Sequence, residues 1–513
     1  MLVRIATPTA RRRFVVWLNL ALVLSLLGPS TVALGQQPEL VLRMNDDLLS
    51  MDPAQIVTAQ DHELAYVVYS GLVRQNVGSP EILPDLATRW EVSSNGLVYT
   101  FTLRRGVMWH KGFGEFTAED VKFSFDRIMN PATRSRFRAD FSMVKSVEAV
   151  DPHTVRITLA NPYPAFLSAV LAYRPGWIVN RKALEQYGRQ YMANVVGTGP
   201  YIFERYVPGE GVHVVANRDY YGGAPKIQRA MFRIVKEDAV AEIALQKGDL
   251  HVAYIEKAAV AARLATNPAL VTRSIPLPRV FFVHFNMTRP PFDDVRVRRA
   301  LSYAVDKRAI VQGVFLGQGV PTDTVLSPGM FGYKSDVRYD YDPVRAKELL
   351  SEAGFPMGKT FEFVVLAGWA DWEQMAAALQ AEWRKVGVNV KLTALEEAVY
   401  QQRRLKLEFD LLSANALRFE PDQILASWFH GTQIPVPNAS SYKGADALID
   451  SARIELDPKK RLEFYAAVQR KIQEDAPVIP LLNPKLMLAW RPEVKGVEVG
   501  FLSYQLEAMT VGK

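Results

Sequence analysis

Cysteine is absent from the 513 residues of this sequence. Disulfide bonds therefore cannot stabilise the protein, and no thiol is present to carry a lipid anchor or to act as a nucleophile. Stability has to come from the size of the hydrophobic core, which a chain of this length can provide. The length also exceeds that of one typical domain, so we expect more than one.

Recognisable catalytic motifs are missing as well. The sequence contains no Gly-x-Ser-x-Gly elbow, no Gly-x-x-x-x-Gly-Lys-Ser/Thr loop and no His-Glu-x-x-His pair. These absences argue against an enzyme. The seven histidines stand singly, without the spacing of metal ligands, so neither a metal nor another cofactor is predicted. They are His62, His110, His153, His213, His251, His284 and His430.

The N-terminus has the pattern of an export signal. Arg11-Arg12-Arg13 precedes an apolar run from Phe14 to Leu27, and small residues follow up to Gly35. Such a pattern is typical of a secretory signal peptide, and the run is shorter than the about 20 residues that cross a bilayer. We predict a signal peptide over 1–35; an uncleaved membrane anchor is the alternative. The arginines also resemble a twin-arginine export motif.

Basic charge is concentrated in this predicted signal. Four of the arginines behind the formal net charge of +7 lie in the first 35 residues, which hold no acid. The remaining chain has only a mild basic excess and no long Lys/Arg run, which argues against a nucleic-acid partner. Without a cysteine to tether it by lipid, the exported protein is predicted to be periplasmic; free secretion is the alternative.

Strand-like and helix-like segments alternate along the rest of the chain, which predicts an α/β protein. Residues 98–103 form an expected strand, and a long helix is expected from Val295 to Leu316. A βαβ unit is expected in which the segments 361–366, 371–386 and 388–392 are strand, helix and strand. These blocks favour two large lobes.

Several sequence strings, in order, resemble the extracytoplasmic solute-binding proteins of the peptide/nickel ABC-transporter family (family 5, dipeptide- and oligopeptide-binding-like). The fullest string combines residues 103–110 with Phe116-Thr117-Ala118-Glu119-Asp120-Val121. The others are Met51-Asp52-Pro53 with the segment 69–72, Leu83-Pro84-Asp85-Leu86-Ala87, Gly197-Thr198-Gly199-Pro200-Tyr201, Asn217-Arg218-Asp219-Tyr220-Tyr221, and Phe285-Asn286-Met287 with the segment 292–306. Taken by themselves, the glycines of 197–201 indicate a tight structural turn.

This resemblance implies a two-lobe periplasmic-binding-protein fold with a hinge between the lobes and an extra subdomain in the first. It implies capture of a solute between the lobes, delivery to ABC-transporter permease subunits in the inner membrane, and a monomer. The implied division is lobe I over 36–80, 196–280 and 485–513, the inserted subdomain over 81–195, and lobe II over 281–484. The chain is then expected to cross between lobes near 280 and near 485.

The resemblance also bears on the solute. In dipeptide-binding relatives an acid anchors the peptide amino group, and here its place falls at Leu417. The arginine that anchors the carboxylate falls near Trp372, so an ordinary dipeptide is not expected. Longer peptides are an alternative, since hydrogen bonds to their main chain can hold them. Sugar-like and anionic solutes are further alternatives. A nickel chelate, with His430 as the available histidine, is the alternative within the family; a secreted hydrolase and a periplasmic chaperone lie outside it.

Candidate ligand-binding residues combine aromatic surface with one cation. Arg418 suits a carboxylate or phosphate, because guanidinium matches the geometry of both; pairing with Glu420 is its alternative. The tryptophans could instead pack against helices, and Asp61 could cap a helix. The full candidate set is Gln60, Asp61, Trp369, Trp372, Leu417, Arg418, Phe419 and Trp428.

Overall fold

The computed structural model describes residues 39–56, 58–76, 79–334, 338–500 and 503–512. The predicted signal peptide over 1–35 lies outside these residues. In the described ranges no helix combines the length and apolarity needed to cross a membrane.

The first half of the chain forms lobe I and a subdomain inserted into it. Short strands and one amphipathic helix dominate up to residue 159: β1 (Leu40–Met44), α1 (Ala59–Val68), β2 (Val73–Gln75), β3 (Ile82–Pro84), β4 (Ala87–Val92), β5 (Val98–Leu103), α2 (Ala118–Met129), β6 (Val144–Asp151) and β7 (Thr154–Leu159). Helix α3 (Arg181–Tyr187) packs in the core of the inserted subdomain. Lobe I then continues with β8 (Tyr201–Val207), β9 (Gly211–Ala216), β10 (Arg229–Ile234), α4 (Asp238–Lys247), β11 (Val252–Ile255), α5 (Ala258–Leu264) and β12 (Val271–Pro276).

Lobe II alternates strands with longer helices. Its elements are β13 (Arg279–Phe285), α6 (Val295–Tyr303), α7 (Lys307–Gly313), β14 (Gly319–Pro321), α8 (Pro343–Glu352), β15 (Thr360–Leu366), α9 (Ala370–Lys385), β16 (Asn389–Leu395), α10 (Glu397–Leu405), β17 (Leu411–Leu417), α11 (Pro421–Phe429), α12 (Asp446–Ile454) and α13 (Pro458–Asp475). The long strand β18 (Val478–Trp490) and the short pair β19 (Val494–Lys495) and β20 (Thr510–Val511) then complete lobe I.

One twelve-stranded sheet runs through both lobes, with the order β16-β15-β17-β13-β18-β11-β1-β10-β9-β8 and with β12 and β14 also paired to β18. The first half of β18 pairs antiparallel with β13 and β14 of lobe II. Its second half pairs with β11 and β12 of lobe I. A single strand therefore belongs to the sheets of both lobes.

The chain passes between the lobes where two proline-containing segments lie side by side. It leaves lobe I through Leu277-Pro278 and returns through Pro484 of β18. The Leu277 amide donates to the Pro484 carbonyl at 2.8 Å. Proline fixes φ and lacks an amide proton, so the backbone of both crossings has few conformations open to it.

The inserted subdomain has its own four-stranded sheet, in the order β4-β5-β7-β6, with α2 packed on it. Helix α2 buries Val121, Phe125 and Ile128 at helical spacing, so the apolar stripe faces the sheet. The Thr117 amide donates to the Asp120 carboxylate at 2.9 Å, which satisfies a backbone group at the start of α2.

The long helix expected from Val295 to Leu316 is two helices, α6 and α7. Asp306 separates them, because its side chain accepts a hydrogen bond from the Ala309 amide at 2.9 Å and caps α7. An acid at this position offers the backbone a partner outside the helical ladder, which favours a new helix start. The expected single helix is therefore wrong at its centre.

Gly197 and Gly199 lie where the chain presses against the end of α1. A Cβ atom on Gly197 would lie 1.9 Å from the Val68 carbonyl oxygen. Nδ1 of His110 accepts from the Gly197 amide at 3.3 Å, and its Nε2 donates to the Gly199 carbonyl at 3.0 Å. Burial lowers the pKa of His110 to about 4, so the ring is neutral and holds the turn.

A buried ion pair joins β1 to the start of α4. Arg43 is fully buried and donates to the Asp238 carboxylate at 2.6 Å. Its remaining donors reach the carbonyls of Val235, Lys236 and Tyr254, each at 2.8 Å. Because every side of the guanidinium has a partner, the cost of burying the charge is offset in this arrangement.

Removing one partner of the Arg43–Asp238 pair should leave the free-energy cost of the buried charge without compensation. We expect Asp238→Ala to lower the free energy of unfolding by about 3–5 kcal/mol, since Arg43 would be left as an uncompensated buried charge. Urea denaturation followed by circular dichroism measures the change. Glu185→Ala breaks the exposed pair with Arg181 and serves as the control, with little change expected. Equal stability of the two variants would contradict the prediction.

Candidate functional site

A cleft between lobe I and lobe II contains two adjoining chambers. The large chamber has a volume of about 490 Å³ and the small chamber about 300 Å³. Four residues line both chambers: Tyr173, Leu277, Leu486 and Val499. Two of these, Leu277 and Leu486, lie beside the crossings between the lobes, so the cleft reaches down to the hinge.

The large chamber is mainly aromatic and apolar. Its lobe I wall includes residues of α1, the inserted subdomain and the segment after β9, and its lobe II wall comes from a loop at 328–330 and from the start of α11 with the residues before it. Prominent lining residues are Tyr66, Tyr69, Tyr173, Trp177 and Tyr220 from lobe I, and Pro328, Gly329, Met330, Phe419 and Gln423 from lobe II. Chambers of this kind bind the apolar body of an organic ligand and orient it with a few polar groups.

Two charged side chains of the large chamber, Arg273 and Asp85, are engaged within lobe I. Arg273 makes a bidentate contact with Glu498, at 3.1 and 2.9 Å. Asp85 accepts from the Gly71 amide at 3.0 Å and from the Tyr221 hydroxyl. Burial raises the pKa of Asp85, although these hydrogen bonds and the nearby Arg74 oppose the shift.

The small chamber is lined by three arginines: Arg174 from the inserted subdomain, and Arg279 and Arg418 from lobe II. Sheet register explains two of them. Arg279 begins β13 and pairs with Leu417 at the end of β17, and Arg418 follows directly. Its amide donates to the Pro278 carbonyl at 3.2 Å, which fixes this strand end against the crossing between the lobes.

Two acids face the same chamber, Glu63 of α1 and Glu256 after β11. Burial raises the pKa of Glu63 well above its usual range, which favours the neutral carboxylic acid. Burial lowers the pKa of Arg279, while Glu256 and Asp371 raise it. The chamber is therefore a partly desolvated site with an excess of positive charge.

A set of polar contacts joins the inserted subdomain to the start of α11; we call it the interlobe clasp. Tyr163 donates to the Asp422 carboxylate at 2.9 Å, and Ser168 to that of Glu420 at 2.6 Å. The Gln423 amide group donates to the Ala169 carbonyl at 3.0 Å. Ser168 and Ala169 lie on a π-helical turn over Phe166–Leu171, an irregularity frequent at functional sites. Burial raises the pKa of Glu420 to about 7.

Three of the residues singled out from the sequence line the cleft. Leu417 and Arg418 line the small chamber, and Phe419 the large one. Gln60 and Asp61 lie on α1 but line neither chamber. Asp61 is buried and accepts from the amides of Leu49 and Ser50 at 2.8 and 3.2 Å, so it joins α1 to the preceding loop. The N-cap of α1 is Thr58, not Asp61.

The structure places the three candidate tryptophans outside the lining of both chambers. Trp372 is 1% exposed and packs edge-on against Phe281 in the core of lobe II. Trp369 is 41% exposed at the start of α9 but lines neither chamber. Trp428 packs against Phe282 and under Arg404. Packing, the alternative raised for these residues, describes Trp372 and Trp428.

Other cleft residues were missed from the sequence. On α1, Ala59, Glu63 and Tyr66 line the cleft at helical spacing, whereas the predicted pair Gln60 and Asp61 lies on the same helix outside the lining of both chambers. Arg279 lies directly at the expected crossing near 280. A residue beside a crossing between the lobes can be expected to line the cleft, so this position was a signal in the sequence. His430 lines neither chamber. In the described part of the chain no cluster of His, Asp and Glu could hold a metal ion.

Two α/β lobes around a hinged cleft define this chain as a solute-binding protein of the periplasmic-binding-protein fold. Residues 81–435 match the model of the bacterial extracellular solute-binding proteins, family 5. A dipeptide-binding protein of Escherichia coli K12 is 31% identical, over 94% of this chain and 96% of that protein.

Solved structures agree. HbpA2 from Haemophilus parasuis has a TM-score of 0.86 and 29% identity, covering 93% of this chain and 100% of that one. The ABC transporter-associated periplasmic binding protein DppA from Helicobacter pylori, in complex with the peptide STSA, has a TM-score of 0.77 and 28% identity, covering 93% and 98%. The chain belongs to the family 5 solute-binding proteins. It is the substrate-binding component of an ABC importer, which captures a solute and delivers it to a membrane permease.

The placement of Trp372 in the core leads to a stability prediction. We expect Trp372→Ala to lower the free energy of unfolding by about 3–5 kcal/mol, as large-to-small changes of core aromatics do. Thermal and urea denaturation measure it. Trp369→Ala, three residues earlier and exposed, is the matched control and should change stability much less. A small effect of Trp372→Ala on stability would contradict the core position and indicate that the indole faces solvent.

Proposed function

We propose that the transported solute is an organic molecule larger than an ordinary dipeptide, held between the large and small chambers. The observation that carries this proposal is that both chambers are lined from both lobes. Where dipeptide-binding relatives have an acid to anchor the peptide amino group, the side chain at the cleft is the apolar Leu417. The related H. pylori protein, in complex with the peptide STSA, is an example of a family member with a longer ligand.

We further propose that the protein acts as a periplasmic monomer, exported by the signal peptide over 1–35, and that it performs no chemistry on its solute. Contacts with both lobes coexist only when the cleft is closed, so a solute shifts the hinge equilibrium by its greater affinity for that form. The interlobe clasp supports this mechanism, because it joins residues of the inserted subdomain and lobe II across the cleft. The closed form is then the species that the permease subunits recognise.

Native mass spectrometry and small-angle scattering test the proposal. Protein purified without refolding should carry a bound molecule, and its radius of gyration should fall when that molecule is added back to refolded, ligand-free protein. The double variant Tyr163→Phe with Ser168→Ala should bind the molecule more weakly, since it removes two donors of the clasp. A protein without bound molecule and with unchanged dimensions would contradict the proposal, as would turnover of hydrolase substrates.

The clasp also predicts a pH dependence of closure. Opening the cleft would return Glu420 from a pKa of about 7 towards its ordinary value, so the closed form binds more protons. The favourable contribution to closure is complete below the ordinary pKa of Glu420 and is lost as the pH rises through about 7. We therefore expect the bound molecule to dissociate more readily at pH 8 than at pH 5, measured by dialysis and mass spectrometry.

Charged and titratable neighbours face Glu420 from both sides of the clasp, and they are Asp422, Arg453, Arg461, Tyr163 and Tyr465. Glu420→Gln should flatten the pH dependence, because it removes the titrating carboxyl and keeps its shape. Glu463→Gln changes an exposed acid of the same lobe and should leave the dependence unchanged. Retention that rises with pH in the unmodified protein would show that another group governs closure.

A further inference from the structure

The small chamber has more positive charge than its acids can balance. Three arginines line it, against Glu63 and Glu256. The arginines outnumber the two acids, and burial of Glu63 favours its neutral form, which increases the positive excess. A chamber with this excess of cations attracts an anion, and its low-dielectric walls strengthen the attraction.

Arg279 is the least satisfied of these cations. Its Nε atom is buried without a hydrogen-bond partner. The acids that act on it, Glu256 and Asp371, form no ion pair with it within 4.0 Å in the described part of the chain. A guanidinium removed from water without a carboxylate partner is costly, and a ligand that supplied the partner would recover that free energy.

Arg418 lies at the same chamber and is exposed; it forms no ion pair within 4.0 Å among the described residues, although its charge acts on Asp140 of the inserted subdomain. Its Nη1 atom donates to the carbonyl of its own neighbour, Leu417, at 2.8 Å. Pairing with Glu420, the alternative raised from the sequence, does not occur, because that carboxylate accepts from Ser168 and Tyr465 in and beside the clasp. Arg418 therefore keeps most of its donors for the chamber.

Arg174 approaches from the inserted subdomain on the opposite side. Its guanidinium lies 5.4 Å from the ring centroid of Tyr173, and its Nε donates to Nδ1 of His62 at 3.4 Å. Burial lowers the pKa of Arg174, and the like charge of Arg418 lowers it further. Two cations from opposite lobes thus face each other across the cleft, where an anion between them would turn repulsion into attraction.

We propose that Arg174, Arg279 and Arg418 together bind an oxyanion group of the solute, a carboxylate or a phosphate, while the apolar or aromatic body of the solute lies in the large chamber. This inference rests on the proposed function, in which the transported solute lies in the cleft. Guanidinium groups match both oxyanions with paired N–H donors. Because the arginines come from both lobes, the anion also contributes directly to closure.

Paired probes test the assignment by isothermal titration calorimetry on the purified protein after removal of bound molecules. The peptide Leu-Tyr-Leu is compared with Leu-Tyr-Leu amide, citrate with its triamide, and glucose 6-phosphate with glucose. We expect at least one acid to bind tenfold or more tightly than its neutral partner. The pair that shows the difference identifies the oxyanion as carboxylate or phosphate.

Arg279→Gln and Arg418→Gln should each lower the ratio of the affinities for the acid and for its neutral partner by about fivefold or more. Arg263→Gln is the control of equal charge, since Arg263 is exposed and paired with Glu242 away from the cleft. Circular dichroism confirms that the variants fold. If either cleft variant unfolds, the corresponding lysine substitution, which keeps the charge but removes the paired donors, replaces it and should lose at least fivefold in affinity for the acid.

The outcomes separate this inference from the proposed function. Equal or tighter binding of the neutral partners, or a preference for acids that survives both substitutions, would overturn the anion site while leaving solute capture in the cleft intact. Failure of every probe, together with no bound molecule in natively purified protein, would overturn both.

Discussion

The antiparallel pairing of β18 with strands of both lobes is the constraint on which the rest of the molecule depends. Its first half completes the sheet of lobe II and its second half that of lobe I, so the sheets of the two lobes meet in one strand. The neighbouring crossing at Leu277-Pro278 is held to it by a backbone hydrogen bond. Motion between the lobes is thereby confined to two adjacent peptide segments, and the cleft opens away from them.

This hinge also decides which side chains can meet a solute. Arg279 directly follows one crossing, and Leu417 and Arg418 are brought beside it by the pairing of β13 with β17. Helix α1 and the inserted subdomain supply the opposite wall, from sequence positions more than a hundred residues away. The positive charge of the small chamber is therefore a property of the tertiary arrangement, since its arginines are not neighbours in the sequence.

Local pattern was sufficient for much of the fold. The expected strand over 98–103 is present as β5, and the expected βαβ unit is present as β15, α9 and β16. The expected helix from Val295 to Leu316 fails at Asp306 because its apolar spacing continues across a cap, and spacing alone does not reveal the break. The turn at Gly197 and Gly199 was read as structural, and its close contact with the Val68 carbonyl gives the physical reason.

The site was harder to predict, for a physical reason. Strand ends are visible in a sequence and indicate Arg418 and Phe419, whereas Leu417 was singled out through the family resemblance. Whether an aromatic side chain faces a cleft or a core depends on how helices pack, so the sequence leaves both alternatives open for Trp372, which the structure places in the core. Arg279 carried a signal in its place beside the hinge, but its lack of a partner can be seen only once Glu256 and Asp371 are located in space.

The interlobe clasp has a consequence for the range of guests. Tyr163, Ser168 and Gln423 bridge the lobes through protein groups alone. Part of the free energy that favours closure is therefore independent of the molecule in the cleft. A bound molecule then has to contribute only the rest of this free energy, and it can do so without contacting every residue that lines the cleft. Molecules of unequal length that share one suitable end group can satisfy the same receptor.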